Sequence, residues 1–160
     1  MKNSIPAVRI SGALRRRAAI LVVVALVSFG GLSVRADPTL AADTVTFQSP
    51  TGNVHCFIST TAGEPHFATC ELRDYTGKVP TRPSDCDLDW VPEATVFGNG
   101  KVFVFGCQGD TNVNPSNMKL AYGKSIKAGE FTCTSAVTGM TCKVKSGRGF
   151  VVSKASIKKL

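Results

Sequence analysis

The chain has 160 residues, of which 43% are hydrophobic, and its 19 basic and 11 acidic side chains give a formal net charge of +8. Residues 1–36 contain six of the basic groups and no acid, so the remainder carries only +2. The basicity is therefore poor evidence for nucleic-acid binding, and no nucleic-acid partner is expected.

Residues 1–36 have the pattern of a secretory signal peptide. A basic segment over residues 1–17 precedes an apolar run over residues 18–32, and Val34 and Ala36 place small side chains before a cleavage site. The pattern predicts cleavage after Ala36, and a second position, after Ala42, stays open. The apolar run is shorter than the about 20 residues of a membrane span. We therefore expect a secreted or periplasmic protein with no membrane span once the leader is removed.

The rest of the chain is predicted to be one domain. Residues 37–43 are interpreted as a flexible N-terminal segment and residues 44–160 as a six-cysteine β domain. Short runs of β-branched and aromatic residues alternate with turn residues, and no long apolar pattern of helical period follows the leader. The predicted fold class is all-β, a small disulfide-stapled antiparallel meander, sandwich or partly open barrel of about seven to nine strands.

The predicted elements after the leader are mostly short strands. Residues 109–117 are predicted to be a loop, residues 123–129 a turn region, and residues 154–160 a basic tail or a single helical turn. Two further runs flank a turn at residues 137–139. The other predicted strands lie at residues 44–48, 53–60, 66–72, 94–97, 101–105, 118–122 and 149–153.

All six cysteines follow the leader, and an even number in an oxidising compartment predicts three disulfides. If Cys56 and Cys70 face each other in an antiparallel hairpin, the turn is centred on Gly63, between turn-forming neighbours. If Cys133 and Cys142 face each other in the same way, the turn between them is centred just before a glycine. Both pairings therefore agree with the local turn chemistry.

Elimination leaves Cys86 with Cys107, and this third pairing stays open. The Asn-Gly turn at residues 99–100 predicts a hairpin that puts Cys107 opposite Pro92. The bridge would then tie the preceding loop to the end of a strand.

A cluster of aspartates beside the single tryptophan is the candidate ligand site. Asp85, Asp87 and Asp89 alternate immediately before Trp90. The functional interpretation makes Trp90 a stacking platform for a sugar ring, with the aspartates as hydrogen-bond acceptors. The structural interpretation places Trp90 in the core and the aspartates in a solvated loop. Because Trp90 stands where a calcium loop of the EF-hand type requires glycine, no metal site is predicted.

No catalytic motif is found in the chain. The cysteine register puts His55 opposite Glu71 and His66 opposite Thr60, so the two histidines are not neighbours. Hydrolase and phosphate-loop signatures are missing from the sequence. We therefore predict no catalytic residue, no cofactor and no enzymatic activity.

Charge is distributed unevenly along the mature part. Residues 37–110 contain ten acids and four basic groups, whereas residues 111–160 contain nine basic groups and one acid. If the two parts occupy different faces, the molecule is electrically asymmetric. An anionic envelope polymer or an extracellular protein is the expected partner. The basic residues are Lys119, Lys124, Lys127, Lys143, Lys145, Arg148, Lys154, Lys158 and Lys159.

Several motifs give the chain a resemblance to a known family. They are SPTGNVHC, CQGD, LAYGKS, GEFTCTSAVTGMTC and GRGFVVSKAS. The chain resembles an uncharacterised family of exported bacterial proteins, the domain-of-unknown-function family numbered 6636, over residues 47–157. The resemblance implies secretion and a disulfide framework and supplies no catalytic residues.

Three functions remain in view from the sequence. The leading hypothesis is a non-catalytic binding module for an envelope or extracellular partner. The first alternative is a secreted inhibitor of a hydrolase, such as a lysozyme or protease, that uses the loop at residues 74–85. The second alternative is an enzyme that acts on the cell wall.

Overall fold

The computed structural model describes residues 43–160. The predicted signal peptide, both candidate cleavage positions and nearly all of the predicted flexible segment lie outside the described residues. No helix in the described part is long and apolar enough to cross a membrane.

The described chain forms eleven strands. Strands β2, β3 and β10 are rich in β-branched, aromatic and cysteine side chains, which fit a pleated surface with one buried face. The strands are β1 (Thr44–Gln48), β2 (Val54–Ser59), β3 (Phe67–Leu72), β4 (Asp89–Phe97), β5 (Val102–Gln108), β6 (Met118–Lys119), β7 (Ser125–Ala128), β8 (Phe131–Ala136), β9 (Gly139–Val144), β10 (Gly149–Ser153) and β11 (Ser156–Lys159).

The strands build two open sheets. Sheet A has the order β5-β4-β3-β2-β1-β6, and sheet B has the order β11-β10-β9-β8-β7. Each sheet is a meander of antiparallel hairpins, except that β6 joins β1 in parallel. Strands β3 and β4 pack against β9 and β10. The predicted all-β, disulfide-stapled class is confirmed, and its form is a sandwich of two meanders.

The core lies between the sheets and follows the two-residue alternation of each strand. In β8, Phe131 and Cys133 are buried, while Thr132 and Thr134 point to the opposite side and are partly exposed. The largest fully buried side chains include Phe47, Phe131, Phe150, Ile58 and Met140. Burial of each such side chain contributes about 1.5–3 kcal/mol to stability.

Two of the three disulfides lie in this core. Cys56 pairs with Cys70 across β2 and β3, and Cys133 pairs with Cys142 across β8 and β9. These are the pairs that the turn chemistry predicts, and Gly63 in the first turn has the positive φ of 86° that favours glycine. The Sγ atoms of Cys70 and Cys142 are 3.7 Å apart, so the two disulfides contact each other between the sheets.

The third disulfide joins Cys86 to Cys107 and links the segment before β4 to β5. The predicted position of Cys107 opposite Pro92 is wrong, because Cys107 pairs with Trp90 in the ladder. The hairpin closes at Phe97 and Lys101, which shifts the register by one residue. The register shift between Val91 and Ala94 in β4 adds a second residue.

Two predicted non-strand segments are also wrong, and the number of strands exceeds the predicted range. The expected turn region at residues 123–129 contains β7, whose alternation buries Ile126 and Ala128. The expected tail or helical turn at residues 154–160 contains β11, which pairs with β10. Two lysines occupy β11, as is common in edge strands, where charge discourages pairing with another chain.

We expect the three disulfides to differ in their accessibility to reductant. Cys107 is exposed, whereas the cysteines of the two core disulfides are at most 1% exposed. Because thiol–disulfide exchange requires access to a sulfur atom, mild reductant should open Cys86–Cys107 first. Alkylation and peptide mass spectrometry of the folded protein would measure the order of reduction. Equal reduction of all three bonds would contradict the buried positions of the other two.

Candidate functional site

A row of four polar side chains crosses the outer face of sheet A. Gln48 pairs with His55, His55 pairs with Glu71, and Glu71 pairs with Glu93, so the row spans β1 to β4. The first three residues are at most 5% exposed. We call this set the polar row. Because buried polar groups are costly unless they are hydrogen-bonded, each of the four requires partners.

Each of the first three residues has a partner in residues 109–117, which we call the crossing segment. This segment leaves β5 at one edge of sheet A and leads to β6 at the other edge. The Glu71 carboxylate accepts hydrogen bonds from the Thr111 hydroxyl at 2.7 Å and the Asn112 backbone N–H at 2.6 Å. Such charge-assisted bonds are roughly twice as strong as bonds between neutral groups.

His55 and Gln48 hold the rest of the crossing segment. The Asn114 backbone N–H donates to Nδ1 of His55 at 3.3 Å, and Nε2 of His55 lies 3.0 Å from the Gly52 carbonyl oxygen. These partners match a neutral imidazole that accepts at Nδ1 and donates at Nε2. The Gln48 amide donates to the carbonyl oxygens of Pro115 and Asn117 at 2.8 and 2.6 Å. The crossing segment is thus fixed over three successive strands.

Glu93, the fourth member of the polar row, has different partners. The Gln108 amide donates to its carboxylate at 3.0 Å, and the Thr69 hydroxyl lies 3.4 Å from it. Burial, and second the charge of Glu71, raise the pKa of Glu93 above its ordinary value of 4.5, although both hydrogen bonds act in the opposite direction. The carboxylate lies over Gly106, where a Cβ atom would collide with it.

A β-bulge positions Glu93. Val91 pairs with Gly106 and Ala94 with Val104, so two residues of β4 stand opposite Phe105 alone. Phe105 has a φ of 62°, which is uncommon for a residue with a bulky side chain. Such backbone strain is often located at functional sites.

Four phenylalanine rings cross the same outer face beside the polar row. The ring centroids of Phe57 and Phe67 are 5.6 Å apart, those of Phe67 and Phe97 are 6.0 Å apart, and those of Phe97 and Phe103 are 5.9 Å apart. We call this set the aromatic ladder. Phe103 is 45% exposed, and the other three rings are partly buried. An apolar surface therefore crosses strands β2 to β5 on the solvent side of the sheet.

An open pocket of about 300 Å³, which we call the groove, lies where the aromatic ladder meets the polar row. Three phenylalanines of the ladder line it together with two threonines, Glu93, Gln108 and Asn112. An apolar surface with a few convergent polar groups, one of them with a raised pKa, is the usual composition of a ligand site.

Two other depressions offer less chemistry. One, of about 350 Å³, is lined by turn residues of both sheets, and its only carboxylate, Asp74, is exposed and paired with Arg73 at 3.0 Å. The other, of about 310 Å³, contains His66 and Glu130, whose side chains are hydrogen-bonded at 3.1 Å. The groove is therefore our candidate site.

The structure places the predicted tryptophan site away from the groove. The Trp90 indole N–H donates to the Pro80 carbonyl oxygen at 3.1 Å, and its ring stacks on Phe105 with centroids 5.9 Å apart. Trp90 is partly buried, and the aspartates at residues 85, 87 and 89 are exposed. Within residues 43–160, these aspartates do not converge into a cluster of metal-ligand spacing. A role for them in ligand binding stays a prediction.

One group of metal-ligating atoms does converge in the described part of the chain. The sulfur atoms of Cys56, Cys70 and Cys142 lie within 4.8 Å of one another. All three belong to disulfides, so no thiolate is available to a metal ion.

Sequence reasoning identified one element of this site and missed the rest. The predicted pairing of His55 with Glu71 is confirmed, but the hydrogen bonds of both side chains go to other groups. The aromatic ladder carried a usable signal, because Phe57 follows Cys56 and must face the other way. The path of the crossing segment carried no such signal.

The fold and the site define a disulfide-stapled β-sandwich domain with an aromatic and carboxylate-lined groove on one outer sheet face. A family model matches residues 25–159, and the chain belongs to that family, DUF6636, described as a family of unknown function. Searches of curated proteins and of solved structures gave no significant match.

We expect the two glutamates of the polar row to affect stability in opposite directions at neutral pH. Glu71→Gln should lower the free energy of unfolding by about 1.5–3 kcal/mol, because a buried donor loses its charged acceptor. Glu93→Gln should raise it, because the folded state disfavours ionised Glu93. Urea unfolding at pH 7.5 would measure both changes.

The pH dependence provides the control for this pair. Because the pKa of Glu93 is raised on folding, its contribution to stability falls as pH rises from about 4.5 through the raised value. The gain from Glu93→Gln should therefore disappear near pH 4. A gain that is equal at pH 4 and pH 7.5 would show that burial of the charge is not its cause.

Proposed function

We propose that this domain is a non-catalytic binding module that acts outside the cytoplasm and binds a saccharide chain in the groove. The observation that carries the proposal is the meeting of the aromatic ladder with Glu93, Gln108 and Asn112 in one open pocket. The groove has an apolar side and a polar side, and these match the C–H groups and the hydroxyl groups of a sugar ring.

The aromatic ladder supplies the apolar half of this recognition. A pyranose ring has faces of C–H groups, and aromatic rings are suited to contact such faces through dispersion and their quadrupole. The rings stand on four adjacent strands, so their spacing is set by a rigid sheet. Preorganisation of this kind lowers the entropic cost of binding.

The polar half comes from groups at the rim of the polar row. Glu93 accepts hydrogen bonds, and the Gln108 and Asn112 amides both donate and accept them. Sugar hydroxyls also donate and accept, so this mixture fits a polyhydroxylated ligand. A purely apolar ligand would leave the Glu93 carboxylate desolvated without a new partner.

The distribution of carboxylates supports binding without hydrolysis. Glycoside hydrolysis usually uses two carboxyl groups that flank the scissile bond. Glu71 is 5% exposed and is bound by the crossing segment, whereas Glu93 is the carboxylate that lines the groove. The groove therefore supplies one carboxyl group where the reaction needs two.

Action outside the cytoplasm is supported by the cysteines. All six are in disulfides, which persist in oxidising compartments. The predicted signal peptide is in accord with this location.

A second candidate function is inhibition of a hydrolase through the loop at residues 74–85, which belongs to the segment between β3 and β4, residues 73–88. This segment carries Val79 and Leu88, which are 51% and 52% exposed, and Cys86–Cys107 anchors it to β5. A braced loop with exposed apolar side chains is suited to insertion into a cleft of an enzyme.

We expect calorimetry of the purified oxidised protein to detect binding of soluble cell-wall oligosaccharides and chito-oligosaccharides. Phe97→Ala should weaken binding by about fivefold, the equivalent of about 1 kcal/mol for one aromatic contact, because Phe97 lines the groove. Tyr122→Ala is the control, because Tyr122 is an exposed aromatic side chain that lies outside the groove.

Equal effects of Phe97→Ala and Tyr122→Ala would contradict the groove as the binding site. Inhibition of a lysozyme or protease that is lost with Val79→Asp and kept with Phe97→Ala would favour the second candidate. Turnover of a wall oligosaccharide that is lost with Glu93→Gln would overturn the non-catalytic proposal.

A further inference from the structure

The two sheets divide the charged residues of the domain between them. Residues 43–119, which build sheet A, contain nine acids and five basic groups. Residues 120–160, which build sheet B, contain one acid and eight basic groups. The asymmetry along the chain thus becomes an asymmetry between the two sides of the sandwich.

We call the outer face of sheet B the basic face. Part of the positive charge lies there, on lysines that the strand register aligns with one another. Lys127 of β7 and Lys143 of β9 both pair with Thr132 of β8, so they stand in one row two strands apart. Two strand spacings put their Cα atoms about 10 Å apart. Lys158 of β11 extends the set across β10, since it pairs with Val151. All three lysines are exposed.

No carboxylate neutralises these lysines within residues 43–160. The one acid of the second half, Glu130, is paired with His66 at the other sheet. An ion pair within the described residues joins Arg73 to Asp74, away from these lysines. The lysine charges are therefore available to a partner, and they reinforce one another's potential over the face.

The side chains between the lysines indicate the class of the partner. Thr132, Thr134 and Thr141 occupy the outward positions of the central strands, and their hydroxyls donate and accept hydrogen bonds. No aromatic residue occupies an outward position on strands β7 to β11, so the basic face lacks the platforms on which nucleic-acid bases stack. Large apolar groups that would enter a lipid layer are also missing from these positions.

We propose that the basic face binds a linear anionic sugar polymer, whose regularly spaced anions contact the lysines while its hydroxyls contact the threonines. This interaction is independent of the groove, because the two outer faces point away from each other across the core. Together, the two faces allow the domain to bridge a saccharide chain and an anionic polymer.

The test measures retention of the full oxidised protein on immobilised polygalacturonate and on immobilised inorganic polyphosphate, with neutral dextran as the blank. The triple variant Lys127→Gln, Lys143→Gln, Lys158→Gln should lose at least tenfold in affinity at 50 mM salt on the polymer that binds. Its affinity should also depend less steeply on salt, because fewer counterions are released.

The matched control removes the same net charge from sheet A and its loops, through Lys78→Gln, Lys101→Gln and Lys119→Gln. This variant should lose less than twofold. Retention on polygalacturonate alone identifies carboxylate as the recognised anion, and retention on polyphosphate alone identifies phosphate.

Three results would overturn the proposal. The first is an equal loss of affinity in both triple variants, which would show that net charge, and not the basic face, causes retention. The second is no retention on either polymer. The third is tighter binding to duplex DNA or to vesicles with anionic lipid, measured at the same salt, than to both polymers. Thermal unfolding of the variants checks that each is folded, and exposed lysine changes should leave the melting temperature unaltered.

Discussion

The contact between two disulfides in the core is the constraint on which the sandwich depends. Cys70 of sheet A and Cys142 of sheet B meet at 3.7 Å, and each is bonded to the strand beside it. A cross-strand bond prevents slippage by one residue, which would turn every side chain to the opposite face. The register of β2 and β3 also fixes their outward residues. The buried disulfide between these strands therefore sets the alignment of the polar row and of the aromatic ladder.

The crossing segment explains why half of an outer sheet face is polar and buried. A segment without regular structure must satisfy its backbone groups, and here side chains from three strands bind them in turn. Coverage ends before β4, so Glu93 remains at the border between covered and open sheet. Burial raises the pKa of its carboxyl group there, a bulge lies beside it, and Gly106 leaves room for its carboxylate.

The fold could largely be predicted from the chain, whereas the site could not. Alternation, Gly-Pro turns and cysteine spacing are local signals, and they gave β1, β10 and the two core disulfides with their partners. Weak four-residue strands such as β7 and β11 were missed because pairing, rather than composition, makes them strands. Glu93 looked like an ordinary outward residue, since its environment depends on a crossing segment from residues far away in the chain. The DCDLDW motif was predicted to be the ligand site because its aspartates and its tryptophan are adjacent in the sequence.

The path of the backbone between the sheets has a further consequence. The main chain passes from sheet A to sheet B once, through residues 120–124, and every cystine closes a loop on one side of that passage. Four of these five linker positions are exposed. A single proteolytic nick there would leave two polypeptides with no covalent tether, held by noncovalent contacts alone. The domain is in this sense a natural candidate for fragment complementation, in which two separately made halves report on their own reassembly.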